Sequence, residues 1–187
     1  MIRFVLVAHH TRRGAAEALA RALDAHLCMD EENHGATWNH RRALEWAREQ
    51  RERVIVLEDD ALPVPGFVER ASAVLDRWPD DLVSLYLGTG RPQRFQAQIG
   101  EVLQGNPDHI RLPALIHAVC YSIPPAGLQR VIGLPLTHQT DFAIGDNWGR
   151  PVVYCVPSLV DHTDGEPVER HADGEARSEA RRAWRLG

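Results

Sequence analysis

Three features of this 187-residue chain predict a single-domain α/β fold. Short apolar runs alternate with amphipathic stretches of helical period at least twice before residue 58. The length suits one sizeable core. The composition, 44% hydrophobic and 25% charged, is that of an ordinary globular protein.

Residues 2–7, IRFVLV, form a continuous apolar run of the kind found in strands covered on both faces. GAAEALARALDAH follows, with Leu19, Leu23 and Leu27 at fourfold spacing, and predicts a helix packed back on that strand. LCM at 27–29 predicts a short second strand ending at Asp30. HGATWNHRRALEWAREQRE is rich in helix formers and amphipathic through Ala43, Trp46 and Ala47. VIVL is the third strand, and the two prolines of ALPVPG then exclude a helix.

FVERASAVLDRW, with Phe67, Ala71, Val74, Leu75 and Trp78 on one stripe, is the clearest helix. LVSLYLG predicts a fourth strand. Residues 88–112 show no steady period and carry Gly88, Gly90, Pro92 and Gly105, which predicts a long surface loop or flap. ALIHAVCYSI predicts another strand, PPAGLQRVIG a short helix opened by proline, and VVYCV a last strand closed by Pro157. The domain is expected to span 1–163. Residues 164–187 are expected to form a charged, nearly core-free tail with Trp184 as its anchor.

The net charge of −5 argues against a protein whose main task is to grip nucleic acid. No apolar run reaches the roughly 18 residues of a membrane span, and the apolar core of MIRFVLVAHH is too short for a secretory signal. Cys28, Cys120 and Cys155 are widely spaced in apolar settings, so buried free thiols in a reducing cytoplasm, the cell's own or a phage host's, are expected.

The stretch VIVLEDDA runs four apolar residues directly into Glu58, Asp59 and Asp60. Adjacent carboxylates repel, so removing one should cost the fold little, and some counter-charge is required. Ligands of α/β sheets bind beyond the carboxyl ends of strands, where these acids fall. Alternation along an extended strand end would point Glu58 and Asp60 to the same side, a pairing that suits a hard divalent cation. A capped or solvated turn is the competing reading.

VIVLEDDA, with the GATWNH segment ending at His40, 18 positions before Glu58, resembles the lipopolysaccharide-type glycosyltransferases of family 25. Gly35 and His40 match that family's GCxxSH-like segment, while Ala36 and Asn39 replace its cysteine and serine. IHAVCYSIPPAGLQRVI and PSLVDH are similar to later segments of GT-A-fold enzymes, and short phage glycosyltransferases look alike. The resemblance implies a GT-A-like, Rossmann-like mixed sheet flanked by helices and a nucleoside diphosphate sugar donor, UDP-linked by first choice. It also implies manganese or magnesium at the acids, and an acceptor that is a glycan, a protein or a modified DNA base. Carried over, Asp60 is the first metal ligand, assisted by Glu58, with Asp59 assisting or contacting the ribose and His40 near the donor. His162, after the last strand, would complete the metal site, with Asp161 as the weaker neighbour.

Asp141 and Asp146 in THQTDFAIGDNWG are candidate general bases, since a hydroxyl attacking an anomeric carbon must lose its proton. Thr140 or Asp141 as a helix N-cap explains the acid equally well. His9, Arg12 and Arg13 follow the first strand, where nucleotides usually meet α/β sheets, and Asp30 ends the second. HHTRRG matches neither a Rossmann glycine fingerprint nor a phosphate-cradling P-loop. The same acids would also serve a metal-dependent phosphohydrolase or nuclease, or a non-catalytic nucleotide or carbohydrate binding module.

Overall fold

The N-terminal apolar run becomes β1 (Arg3–His9), the central strand of a parallel trio. The computed structural model describes residues 2–136, 139–163, 168 and 180–187. β1 pairs on one side with β2 (His26–Asp30) and on the other with β3 (Val54–Glu58). Helix α1 (Arg13–Leu23) connects β1 to β2, and α2 (Ala36–Glu49) carries the chain across to β3. The alternation along β1 separates two cores. Val5 and Val7 pack with α2 residues Ala43, Leu44 and Ala47, and Phe4, Leu6 and Ala8 pack with Ala16 and Ala20 of α1. Helices on both faces explain why the first and third strands are apolar without interruption.

Beyond β3 the sheet becomes mixed. β7 (Cys120–Ile123) runs antiparallel to β3 and to β5 (Val83–Ser84), β5 is parallel to β8 (Val152–Cys155), and β6 (His109–Leu112) closes the edge. The seven strands lie in the order β2-β1-β3-β7-β5-β8-β6. A small second sheet pairs β4 (Ala61–Pro63) with β9 (Val160–His162). α3 (Phe67–Arg77) packs on the α1 side, and α4 (Gln93–Leu103), α5 (Pro125–Gly133) and α6 (Thr140–Trp148) pack on the α2 side.

Four sequence expectations need correction. Residues 88–112 are not a surface loop: they form α4 and β6, with Ile99 and Leu103 in the core. Glycines and Pro92 at the segment's start masked the helical stripe that begins at Gln93. VVYCV is not the last strand, because β9 follows it. LVSLYLG yields only the two-residue β5, since the Ser84 hydroxyl bonds the Tyr86 carbonyl and the chain leaves the ladder there. Only CYSI of ALIHAVCYSI is strand.

The three cysteines are buried and free, as expected. Among the described residues no helix is long and apolar enough to cross a membrane.

Residues 164–167 and 169–179, most of the expected tail, lie outside the described residues. The final eight return to the body of the domain, where Trp184 packs against the core and Ala183 and Leu186 bridge Gly88 and Ser158.

The correction at α4 is directly testable. Ile99→Ala should lower the unfolding free energy by about 2–5 kcal/mol, the range for emptying a packed aliphatic site, as read by urea denaturation. A surface loop would tolerate the change within about 0.5 kcal/mol.

Candidate functional site: an acidic cleft at the carboxyl ends of β1 and β3

The chain leaves β1 toward one edge of the sheet, to β2, and leaves β3 toward the other, to β5, which opens a crevice where ligands of α/β folds bind. A cavity of about 190 Å³ occupies it. Glu58, Asp59 and Asp60 all line it.

The alternation expected for the acids does not operate, because β3 ends at Glu58 and Asp59–Asp60 form a turn. Both turn carboxylates converge on one cation. Arg12 Nη1 donates to Asp59 Oδ1 at 2.9 Å and to Asp60 Oδ2 at 2.6 Å. Arg12 reaches them from a single 3-10 turn, His10–Arg12, that directly follows β1. The His9 amide adds a 2.8 Å bond to Asp59 Oδ2. The counter-charge that the sequence demanded is therefore largely Arg12.

The two neighbouring carboxyls are pushed apart in acidity. Burial raises Asp59 above the usual carboxylate range despite the His9 amide and Arg12. Burial opposes the charge of Asp60 too, but His162 and Arg12 outweigh it and hold its carboxyl below that range. Pairing of β4 with β9 brings this histidine in. His162 lies opposite Ala61, and Thr163 N donates to Asp60 O at 2.9 Å. His162 Nε2 stands 3.2 Å from Asp60 Oδ2 but off the line of a hydrogen bond. Asp60 Oδ1 and both ring nitrogens of His162 are buried without hydrogen-bond partners.

Glu58 is engaged differently. Its Oε1 is 3.1 Å from His40 Nε2, and His40 Nδ1 is 3.1 Å from the Tyr121 hydroxyl. Burial pushes the Tyr121 hydroxyl far up, so it keeps its proton. The Glu58 carboxylate can only accept, which suits the tautomer that donates from Nε2 to Glu58 and accepts the Tyr121 hydroxyl at Nδ1. Glu58 is thus drawn to His40, and the expected ligand set of Glu58, Asp60 and His162 is not assembled. Among the described residues no three His, Cys, Asp or Glu side chains form a group that could hold a metal ion.

The opposite wall comes from β2 and the start of α2. Asp30 accepts from the His34 amide at 3.0 Å and the Gly35 amide at 2.8 Å. Burial works against its charge, yet these bonds win and its carboxyl lies below the usual range. Asp30 therefore shapes the turn into α2 as well as lining the cleft. Gly35 adopts φ 100° there, a conformation that penalises any side chain. Asn39 clamps the carboxyl ends of β1 and β2 through Ala8 O at 3.0 Å and Cys28 O at 2.8 Å.

Of the residues singled out in the sequence, His9, Arg12, Asp30, His40, Glu58, Asp59 and Asp60 line the cleft. Arg13 does not; it is exposed and pairs with Glu31 and Glu17. Asp146 is exposed on α6. Asp141 lies in the first turn of α6, whose N-cap is Gln139 rather than Thr140 or Asp141. It lines no part of the cleft, yet burial and the negative charge of Glu58 push its carboxyl up to about 6. A Thr37–Thr140 hydroxyl pair at 2.8 Å ties α6 to the start of α2. Sequence reasoning missed Asn39 as a site residue, although its departure from the family's serine marked the position. It also missed Arg181, which reaches the cleft from the C-terminal segment with no local signal.

Asp60 should be a stabilising residue, contrary to the expectation from charge repulsion. At pH 7, Asp60→Asn should cost about 1–3 kcal/mol in urea denaturation, the scale of a lost charge-assisted bond. A depressed carboxyl contributes stability above its unfolded pKa and loses it as pH falls through the folded value. The deficit should therefore shrink as pH drops below about 4.

No family model and no curated protein matches the chain. Its structure is similar to that of A197 from STIV, with a TM-score of 0.58 and 11% identity over 92% of each chain. That likeness concerns the fold, which is a GT-A-like mixed α/β sheet flanked by helices in a single domain.

Proposed function

We propose that the protein is a glycosyltransferase that moves a sugar from a nucleoside diphosphate sugar, UDP-linked by first choice, to a hydroxyl-bearing acceptor. The resemblance to family 25 and to short phage enzymes supports this reading. One observation carries it: an apolar central strand of a GT-A-like sheet delivers three carboxylates into a cleft at the strand-order reversal. Acceptors consistent with the resemblance are a glycan, a protein or a modified DNA base.

Manganese or magnesium fits part of the site. The unpartnered Asp60 Oδ1 and His162 ring nitrogens offer hard oxygen and imidazole nitrogen donors in one buried spot. Asp60 and His162 would hold the ion, which supplies positive charge for a departing diphosphate. Arg12 keeps both aspartates in place and adds a fixed cation beside them. His40 orients Glu58 toward the cleft, where its free oxygen can accept hydroxyls of the ribose or sugar. Asp30 sits across the cleft as a second hydroxyl acceptor.

Proton removal from the acceptor falls to Asp141. A carboxyl pushed up to about 6 is a stronger base than an ordinary one and is still ionised at neutral pH. Its place at the head of α6, within the field of Glu58, suits an acceptor approaching from the α6 side.

The direct test is a thermal-shift screen of nucleoside diphosphates and their sugars, with and without manganese, followed by donor hydrolysis and transfer assays. A donor-specific rise in melting temperature and sugar release are expected. Asp60→Asn should abolish transfer, and His162→Ala should remove the manganese-dependent part of the shift. Binding without turnover would instead identify a binding module, and near-normal turnover by Asp60→Asn would refute the site.

Asp141→Asn should keep donor affinity while turnover falls roughly a hundredfold or more. The acidic limb of the rate profile, centred near pH 6 in the parent, should vanish. Stability supplies an independent readout. A raised carboxyl stabilises the fold below its unfolded pKa and loses that contribution as pH rises through the folded value. Asp141→Asn should therefore be the more stable protein at pH 8, by an amount on the order of 2 kcal/mol, and nearly equal to the parent at pH 4.

A further inference from the structure

The C-terminal segment 180–187 is a strap laced into the domain by its own backbone. Thr89 N donates to Arg182 O at 2.8 Å, Trp184 N to Leu87 O at 2.9 Å, and Ser158 N to Arg185 O at 2.8 Å. Gly187 N closes the lacing on Ser158 O at 3.0 Å. The Trp184 indole donates to Gln96 at 2.9 Å and lies over Gly100, where an added Cβ would meet the ring at 3.4 Å. Ala183 N donates to Asp161 at 2.7 Å, which fastens the strap to β9, the strand that presents His162 to Asp60. A short segment with three arginines, Arg181, Arg182 and Arg185, is thus held in one register at the edge of the site.

This lacing has a specific product. Arg181, immediately before the first laced residue, lines the acidic cleft. The residue is partly buried and its Nε is fully so, which places the side chain against the protein rather than in solvent. Among the described residues, Asp30, Glu58, Asp59 and Asp60 line the same cleft, as does Arg12, which pairs with Asp59 and Asp60. Those carboxylates repel a ligand bearing two phosphates, so each cation at the lining favours its entry. A planar guanidinium suits that task because its parallel N–H donors match phosphate oxygens in pairs.

We propose that Arg181 is a diphosphate-binding residue, held at the cleft by the C-terminal strap with Trp184 as its pin. This rests on the donor reading above, and the experiment separates the two. Inorganic pyrophosphate and UDP are titrated calorimetrically into the full-length protein and into Arg181→Gln, Arg181→Lys and Arg182→Gln. Arg182 is exposed on the same strap and provides a matched loss of charge.

Arg181→Gln should weaken both ligands at least tenfold, and Arg181→Lys should fall between it and the parent. Arg182→Gln should change affinity less than twofold. Trp184→Ala, with Arg181 intact, should also weaken pyrophosphate binding, because the strap loses its pin. Equal effects of Arg181→Gln and Arg182→Gln would reduce Arg181 to a general field contribution and overturn the assignment. Parent-like affinity of Arg181→Gln would overturn it while leaving the donor reading standing. Failure of the unmodified protein to bind either ligand would overturn both.

Discussion

The contact between Arg12 and the paired carboxylates of Asp59 and Asp60 is the constraint around which the cleft is arranged. Three consecutive acids at the end of a buried strand would be untenable without a cation delivered to the same point. The delivery depends on sheet register. β1 and β3 pair so that Val7 lies beside Glu58, which carries the His9 amide to Asp59 and leaves room for one 3-10 turn to bring Arg12 back over the acids. A register shift of one residue would turn the strand ends to opposite faces and strand the charge. Core pairing and site electrostatics are therefore specified together.

Around that contact the acids divide their work. Glu58 belongs to a buried chain through His40 and Tyr121, and Asp59 to the end of β1. Asp60 belongs to the small β4–β9 sheet and its histidine. Each carboxylate is thus tied to a different element. Adjacent residues in one sequence motif end in unlike environments, and their opposite shifts in acidity follow from that.

Much of this was legible in the sequence, for identifiable reasons. The first half reads cleanly because both faces of the parallel trio are covered, so IRFVLV and VIVL are apolar throughout and the intervening helices carry full stripes. The location of the site follows from the same regularity, since the acids terminate a strand. Local periodicity fails where the chain is organised by distant partners. The helix 93–103 is hidden behind Gly88, Gly90 and Pro92, and β9 is three residues long and exists only because β4 lies beside it. Arg13 and Arg12 are indistinguishable in the sequence, yet a step of one residue separates a cleft residue from a surface ion pair. The strap lies furthest from reach, because backbone bonds to residues 87–89 and 158 hold it and these leave no pattern in side-chain type.

The small β4–β9 sheet also bears on how the chain assembles. Arg12 leaves the ribosome well before Asp60, so the parallel trio and its ion pair can form while most of the protein is still being made. His162 and the strap follow only after about a hundred further residues, and the contacts they close are among the most distant in the chain. A nascent chain truncated anywhere between them carries a neutralised acidic motif on an open sheet, without the histidine or the second arginine. The capacity to engage a phosphorylated ligand would then arrive later than the scaffold of the site, and a chain stopped before His162 would have that scaffold without its grip.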